Sequence, residues 1–112
     1  MVENQKICRI VEEFSLYLLE KNAFDLNIKV KKSEEKTSIY FDCSLIDKKY
    51  LNELEQIFKH KRQKEFEIYG WELIGQGDAD NELVLVSNLI NHFMYYIKDE
   101  RIYFSLVRYE EL

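Results

Sequence analysis

Few residues of this chain could do chemistry, and they are scattered. Asp78, Asp80 and Glu82 place acids at alternate positions, as a calcium loop does, but the central glycine and distal glutamate of the twelve-residue form are missing. Asp78 and Asp80 also precede a helical pattern, where short acids cap free backbone N–H groups, and capping is the stronger reading. Cys8 and Cys43 stand without a CxxC spacing or a neighbouring histidine, so they read as buried free thiols rather than zinc ligands. His60 lies in the charged run 59–64 and His92 beside an apolar stripe; neither has a serine or cysteine placed for nucleophilic catalysis. No catalytic residue or metal ligand is therefore expected. What remains is aromatic. Trp71, Tyr95, Tyr96, Tyr103 and Tyr109 are residue types favoured in binding interfaces, and several are expected on the polar face or near the edge of a hairpin. Cross-strand pairing is the competing use for the same rings.

The elements that must position them follow from periodicity. Ile7, Ile10, Val11, Phe14, Tyr17 and Leu18 recur at helical spacing and predict a helix over 3–21, with Asn22 as its terminator. Leu26, Ile28 and Val30, then Ile39, Phe41 and Cys43, alternate with polar residues across the turn 32–36 and predict a hairpin with one wet face. Ser44 and Asp47 have the spacing of a helix cap, with Ser44 as the capping residue before an apolar stripe of Tyr50, Leu51, Leu54, Ile57 and Phe58. A further helix is predicted over 65–74 despite Gly70. Gly75 and Gly77 mark a loop, after which Leu83, Val86, Leu89, Ile90 and Phe93 form a helical stripe. Past Phe93 the period falls to two, giving a second hairpin that turns near Asp99 and Glu100. The order α-β-β-α-α-α-β-β implies a two-layer α/β (α+β) sandwich. Two isolated hairpins would be marginal, so four strands join in one mainly antiparallel sheet covered on one face by helices.

With 112 residues the chain is the size of one domain, 1–112. Hydrophobic residues at 46% against 33% charged exclude a disordered chain. A net charge of −5 argues against a general nucleic-acid binder, which needs a cationic surface to displace phosphate counterions. No apolar run reaches the roughly 20 residues of a membrane span, and the first residues lack a signal-peptide pattern, so a cytoplasmic location is expected. The lack of proline with abundant Lys, Ile, Asn, Glu and Tyr suits AT-rich coding, as in low-GC bacteria.

In order and local pattern the chain resembles the GHKL, or Bergerat-fold, ATPase domain of histidine kinases and serine-kinase anti-sigma factors. Leu18-Leu19-Glu20-Lys21-Asn22-Ala23 looks like that family's asparagine-bearing motif, and the run from Gly77 to Val86 is similar to its late glycine motif and helix. The resemblance implies Mg-ATP as cofactor, with Asn22 for magnesium, Asp42 for adenine, and Gly75 and Gly77 approaching the nucleotide. Three departures argue against a working site. No glycine follows Asp42, Glu82 and Val84 stand where glycines belong in the late motif, and Leu18 holds the place of the general base.

The expected function is thus a non-catalytic, protein-binding or regulatory module with a GHKL-like fold and no cofactor. Its partner is a protein, a homodimer included, and neither nucleic acid nor membrane. The alternative is a reduced ATP-binding domain related to the anti-sigma or histidine kinases.

Overall fold

Residues 2–59 and 79–110 are described by the structure, a computed structural model. In chain order they form α1 (Val2–Glu20), β1 (Asn27–Lys32), β2 (Lys36–Ser44), α2 (Lys48–Ile57), α3 (Ala79–Ser87), β3 (His92–Lys98) and β4 (Arg101–Tyr109). The helix expected over 65–74, with His60, Trp71, Gly75, Gly77 and Asp78, lies outside the described residues. The strands make one antiparallel sheet in the order β1-β2-β4-β3, so each hairpin keeps its own pairing and the two join along a central β2·β4 seam. The fold is the expected α+β sandwich, with helices on one face of an antiparallel sheet.

Alternation dictates which face is covered. Ile39, Phe41 and Cys43 of β2 and Ile102, Phe104 and Leu106 of β4 are buried, and they meet the apolar stripe of α1: Ile7, Ile10, Phe14, Tyr17 and Leu18. Phe14 sits at the centre. Its ring centroid lies 4.5 Å from Phe41, 5.2 Å from Phe104, 6.0 Å from Phe58 and 6.4 Å from Phe93, so phenylalanines from β2, β3, β4 and the C-terminal cap of α2 meet it. Burying a ring of this size stabilises the fold by about 2–3 kcal/mol.

Helix ends explain where the chain turns. Asn22 takes a left-handed φ of 70°, while Ala23 N–H donates to Leu18 O (2.9 Å) and Asn22 N–H to Leu19 O (3.2 Å). That bond pair is a Schellman ending, and the buried Ala23 and Leu18 supply its apolar contact. The cap of α2 corrects the sequence reading. Asp47, not Ser44, is the capping residue, its carboxylate accepting from Lys49 N–H at 3.0 Å. Ser44 is the last residue of β2, and its Oγ accepts from Phe24 N–H instead.

Phe93 is a second correction, since it belongs to β3 rather than to the preceding helix. Ser87 Oγ and Asn88 Nδ2 both donate to Val84 O, at 2.6 and 3.1 Å, and Leu89 N–H and Ile90 N–H bond three residues back. Such side-chain bonds compete with the helix ladder and tighten its last turn, so α3 stops while its apolar stripe continues through a turn into the core. The closing hairpin turns at Asp99 and Glu100, whose φ values of 51° and 62° are both positive, as a two-residue type I′ connection requires.

Three charged side chains are buried among the described residues: Glu13, Glu82 and Arg108. Arg108 is 1% exposed on the helix side of β4. Its Nε and Nη2 hold both carboxylate oxygens of Glu3 at 2.7 and 2.8 Å, and Nη1 donates to Leu89 O at 2.9 Å. Glu13 of α1 is also buried, and its Oε2 has no hydrogen-bond partner among the described residues. Burial pushes its carboxyl above the ordinary glutamate range, and Glu12, Glu82 and Glu20 add to the rise against the opposing pull of Arg9.

Candidate functional site on the open sheet face

No described element covers the second face of the sheet. Alternation places on it Lys29 and Lys31 of β1, Tyr40 and Asp42 of β2, Tyr103 and Ser105 of β4, and Met94 and Tyr96 of β3. The register lines these up in rows. Lys29 lies beside Tyr40, Ser105 and Met94, while Asn27 lies beside Asp42, Tyr103 and Tyr96. Two of the residues are strongly exposed for their type, Met94 at 66% and Tyr96 at 59%. Tyr96 and Tyr103 stack across the β3·β4 pair, with centroids 4.9 Å apart and planes 11° from parallel.

Along these residues runs a depression of about 300 Å³, lined by Tyr40, Met94, Tyr96, Tyr103, Asp42 and Ser105. A second one, of about 260 Å³, lies over Lys31, Lys32, Lys36, Ser33 and Ser38 at the turn end of the first hairpin. Tyr40 borders both. The face therefore grades from an aromatic and thioether floor to a lysine rim, although the chain as a whole is acidic.

One corner is fixed by Arg101. Its Nε donates to Asp42 Oδ2 at 2.7 Å and its Nη1 to Asp25 Oδ2 at 3.0 Å, while Nη2 reaches Asp25 O at 2.6 Å. Asn27 Nδ2 also donates to Asp42 Oδ2, at 3.1 Å. Burial raises the Asp42 carboxyl, but the bonds from Asn27 and Arg101 outweigh it and hold the group below the ordinary aspartate range. At the opposite corner His92 Nε2 meets Tyr109 Oη at 3.0 Å.

The structure divides the residues singled out in the sequence. Tyr96 and Tyr103 share the groove, and Tyr109 lies on the same face, farther along β4. Tyr95 points to the helix side of β3, where its Oη donates to Glu55 Oε1 at 2.6 Å, a bond that raises its phenol pKa ahead of the effect of burial. Trp71 lies outside the described residues. Of the nucleotide candidates, Asn22 closes α1. Asp42 alternates with the buried Phe41 and Cys43, so its carboxylate faces away from the space between helices and sheet; Gly75 and Gly77 lie outside the described residues. Cys43 is buried and Cys8 exposed, both free; burial pushes the Cys43 thiol up to about 11, which keeps it protonated and unreactive. Among the described residues no three His, Cys, Asp or Glu side chains gather as metal ligands do, and no helix is long and apolar enough to cross a membrane.

Sequence reasoning did not single out Tyr40, Met94 and the lysine rim. The available signal was parity: Tyr40 and Met94 are large apolar side chains at strand positions that alternation assigns to the wet face.

No family model, no curated protein and no solved structure matches the chain.

Proposed function

We propose that this chain is a non-catalytic protein-binding module, acting in the bacterial cytoplasm, that docks a partner segment on the open face of its sheet. The observation that carries the reading is the groove over Tyr40, Met94, Tyr96 and Tyr103, an apolar floor of about 300 Å³ on a face that no described element covers. Aromatic side chains supply contact area at low entropic cost, and methionine adapts its shape to the occupant. The rim of Lys31 and Lys36 gives the partner its chemistry, namely an extended acidic segment with an apolar anchor. Two free cysteines suit a reducing compartment. On this reading the likeness to GHKL domains is one of frame, with the nucleotide site given up.

Selection of a random displayed peptide library on the pure protein tests the proposal. Peptides with acids flanking an aromatic or aliphatic anchor are expected, and Met94→Asp should weaken them at least about tenfold by setting a charge in the floor. No enrichment, or peptides indifferent to Met94→Asp, overturns it. The ATP reading has its own measurement in thermal unfolding with millimolar Mg-ATP. Ligand at a hundredfold over its dissociation constant adds about 2.7 kcal/mol, a rise on the order of 10 °C. Such a rise, lost in Asn22→Ala or Asp42→Ala, would replace the docking module with a nucleotide-binding domain.

A further inference from the structure

The two edges of the sheet are built differently. In the order β1-β2-β4-β3 the outer strands β1 and β3 each present a row of backbone N–H and C=O groups that no described strand pairs. β1, NIKVKK, carries Lys29, Lys31 and Lys32. A second β1 laid against it about a twofold at Val30 would set Lys29 opposite Lys31 of the other copy, twice over, and like charges directly opposite are destabilising. Lysines on an edge strand are a recognised device against pairing. β3, HFMYYIK, has no such guard: between His92 and Lys98 it holds five consecutive apolar and aromatic residues, with Met94, Tyr96 and Ile97 all more than half exposed.

We infer that β3 pairs antiparallel with β3 of a second copy of this chain, about a twofold axis at Tyr95, and joins two four-stranded sheets into one of eight strands. The strand is complementary to itself in this register, which is centred on its seven residues and so pairs all of them. Tyr95 meets Tyr95 of the second copy, and Phe93 meets Ile97, on the helix side. Met94 meets Tyr96 on the open face. Each is an aromatic or aromatic–aliphatic cross-strand pair, the kind that stabilises sheets most, and no charge lies between His92 and Lys98. Like-with-like pairing at the axis is what a twofold interface demands, because the same patch must serve both partners. The pairing is also continuous with the groove, since Met94 and Tyr96 from each copy come together at the axis and the two floors become one strip. A seven-residue strand edge is small beside the roughly 1,000 Å² of a stable interface, so the association is a weak one.

Sedimentation of the wild-type chain over about 1–200 µM should show a reversible monomer–dimer equilibrium. Ile97→Lys places a charge at the edge without touching the groove, and should raise the dissociation constant about tenfold or more while leaving the helical signal and melting midpoint near wild type. Tyr103→Ser alters the groove on an inner strand and should leave dimerisation within about twofold, so failure of the docking reading and failure of this one are told apart. A nitroxide at Lys98, with the exposed Cys8 replaced by serine, reports the register while leaving the other residues of β3 as they are. Twofold pairing at Tyr95 sets the two labelled backbones six residues apart along neighbouring strands, a separation on the order of 20 Å. A wild-type chain that stays monomeric throughout, a dimer indifferent to Ile97→Lys, or a label distance far beyond that value overturns the inference.

Discussion

Arg108 and Arg101 belong to one strand, β4, yet they lie on opposite faces of the sheet and are held in opposite ways. Arg108 is enclosed under the helices and satisfied by a bidentate carboxylate from α1 and the Leu89 carbonyl. Arg101 stands on the open face with its side chain 21% exposed, and binds a strand residue, Asp42, and a loop residue, Asp25. The first pair cannot be replaced by water when a partner is lost; the second can. The buried ion pair on the covered face is therefore expected to carry more stability than the one on the open face.

The sharpest way to break this contrast is to remove one partner from each arginine. Glu3→Ala removes the bidentate carboxylate from a buried guanidinium and should cost about 3 kcal/mol in urea unfolding. Asp25→Asn on the other face, which suits the left-handed φ of 58° at this position, should move the midpoint far less, because solvent takes over the exposed donor. Equal losses would mean that the two faces do not divide the labour. An intermediate effect is expected at Glu13, the buried carboxyl whose Oε2 has no hydrogen-bond partner among the described residues. Its folded-state pKa lies above its unfolded value, so the folded chain favours the protonated form. The contribution is fully present below the unfolded pKa and is lost as pH rises through the folded one. Glu13→Gln should accordingly raise the melting midpoint at pH 7, and the advantage over wild type should vanish as the pH falls below the ordinary glutamate range. A difference that grows in acid would reverse the sign and discard the account. The smallest effect belongs to the open face, where Met94→Ser should stay within about 0.5 kcal/mol of wild type in chemical unfolding.

Local rules made much of this frame legible. Alternation alone divides Ile39, Phe41 and Cys43 from Tyr40 and Asp42, and Asn22 announces the end of α1 because asparagine tolerates the left-handed turn found there. The misreadings have a common cause. Ser44 and Asp47 both suit a cap, and only the pull of the β2 ladder on Ser44 decides between them. Phe93 keeps helical spacing with Ile90, yet Ser87 and Asn88 end the helix first. Glu3 and Arg108 are 105 residues apart, and no local pattern joins them. The candidate site was half legible: Tyr96 and Tyr103 stood out by type, while the groove they share with Tyr40 and Met94 exists only once two hairpins are joined.

The β2·β4 seam that joins them sets an order of events in time. Each hairpin closes on neighbouring residues and should form within microseconds. The seam must wait for a strand that begins 57 residues after β2 ends, since Ser44 pairs with Arg101. At roughly 5–20 residues per second of synthesis, β2 is on the ribosome for about 3–11 s before β4 follows it. During that interval Ile39, Phe41 and Cys43 lie on a strand with one edge open. The lysines of β1 guard only the far side of that first hairpin, so the interval before the seam closes, rather than the finished fold, is when the chain is most prone to pair wrongly.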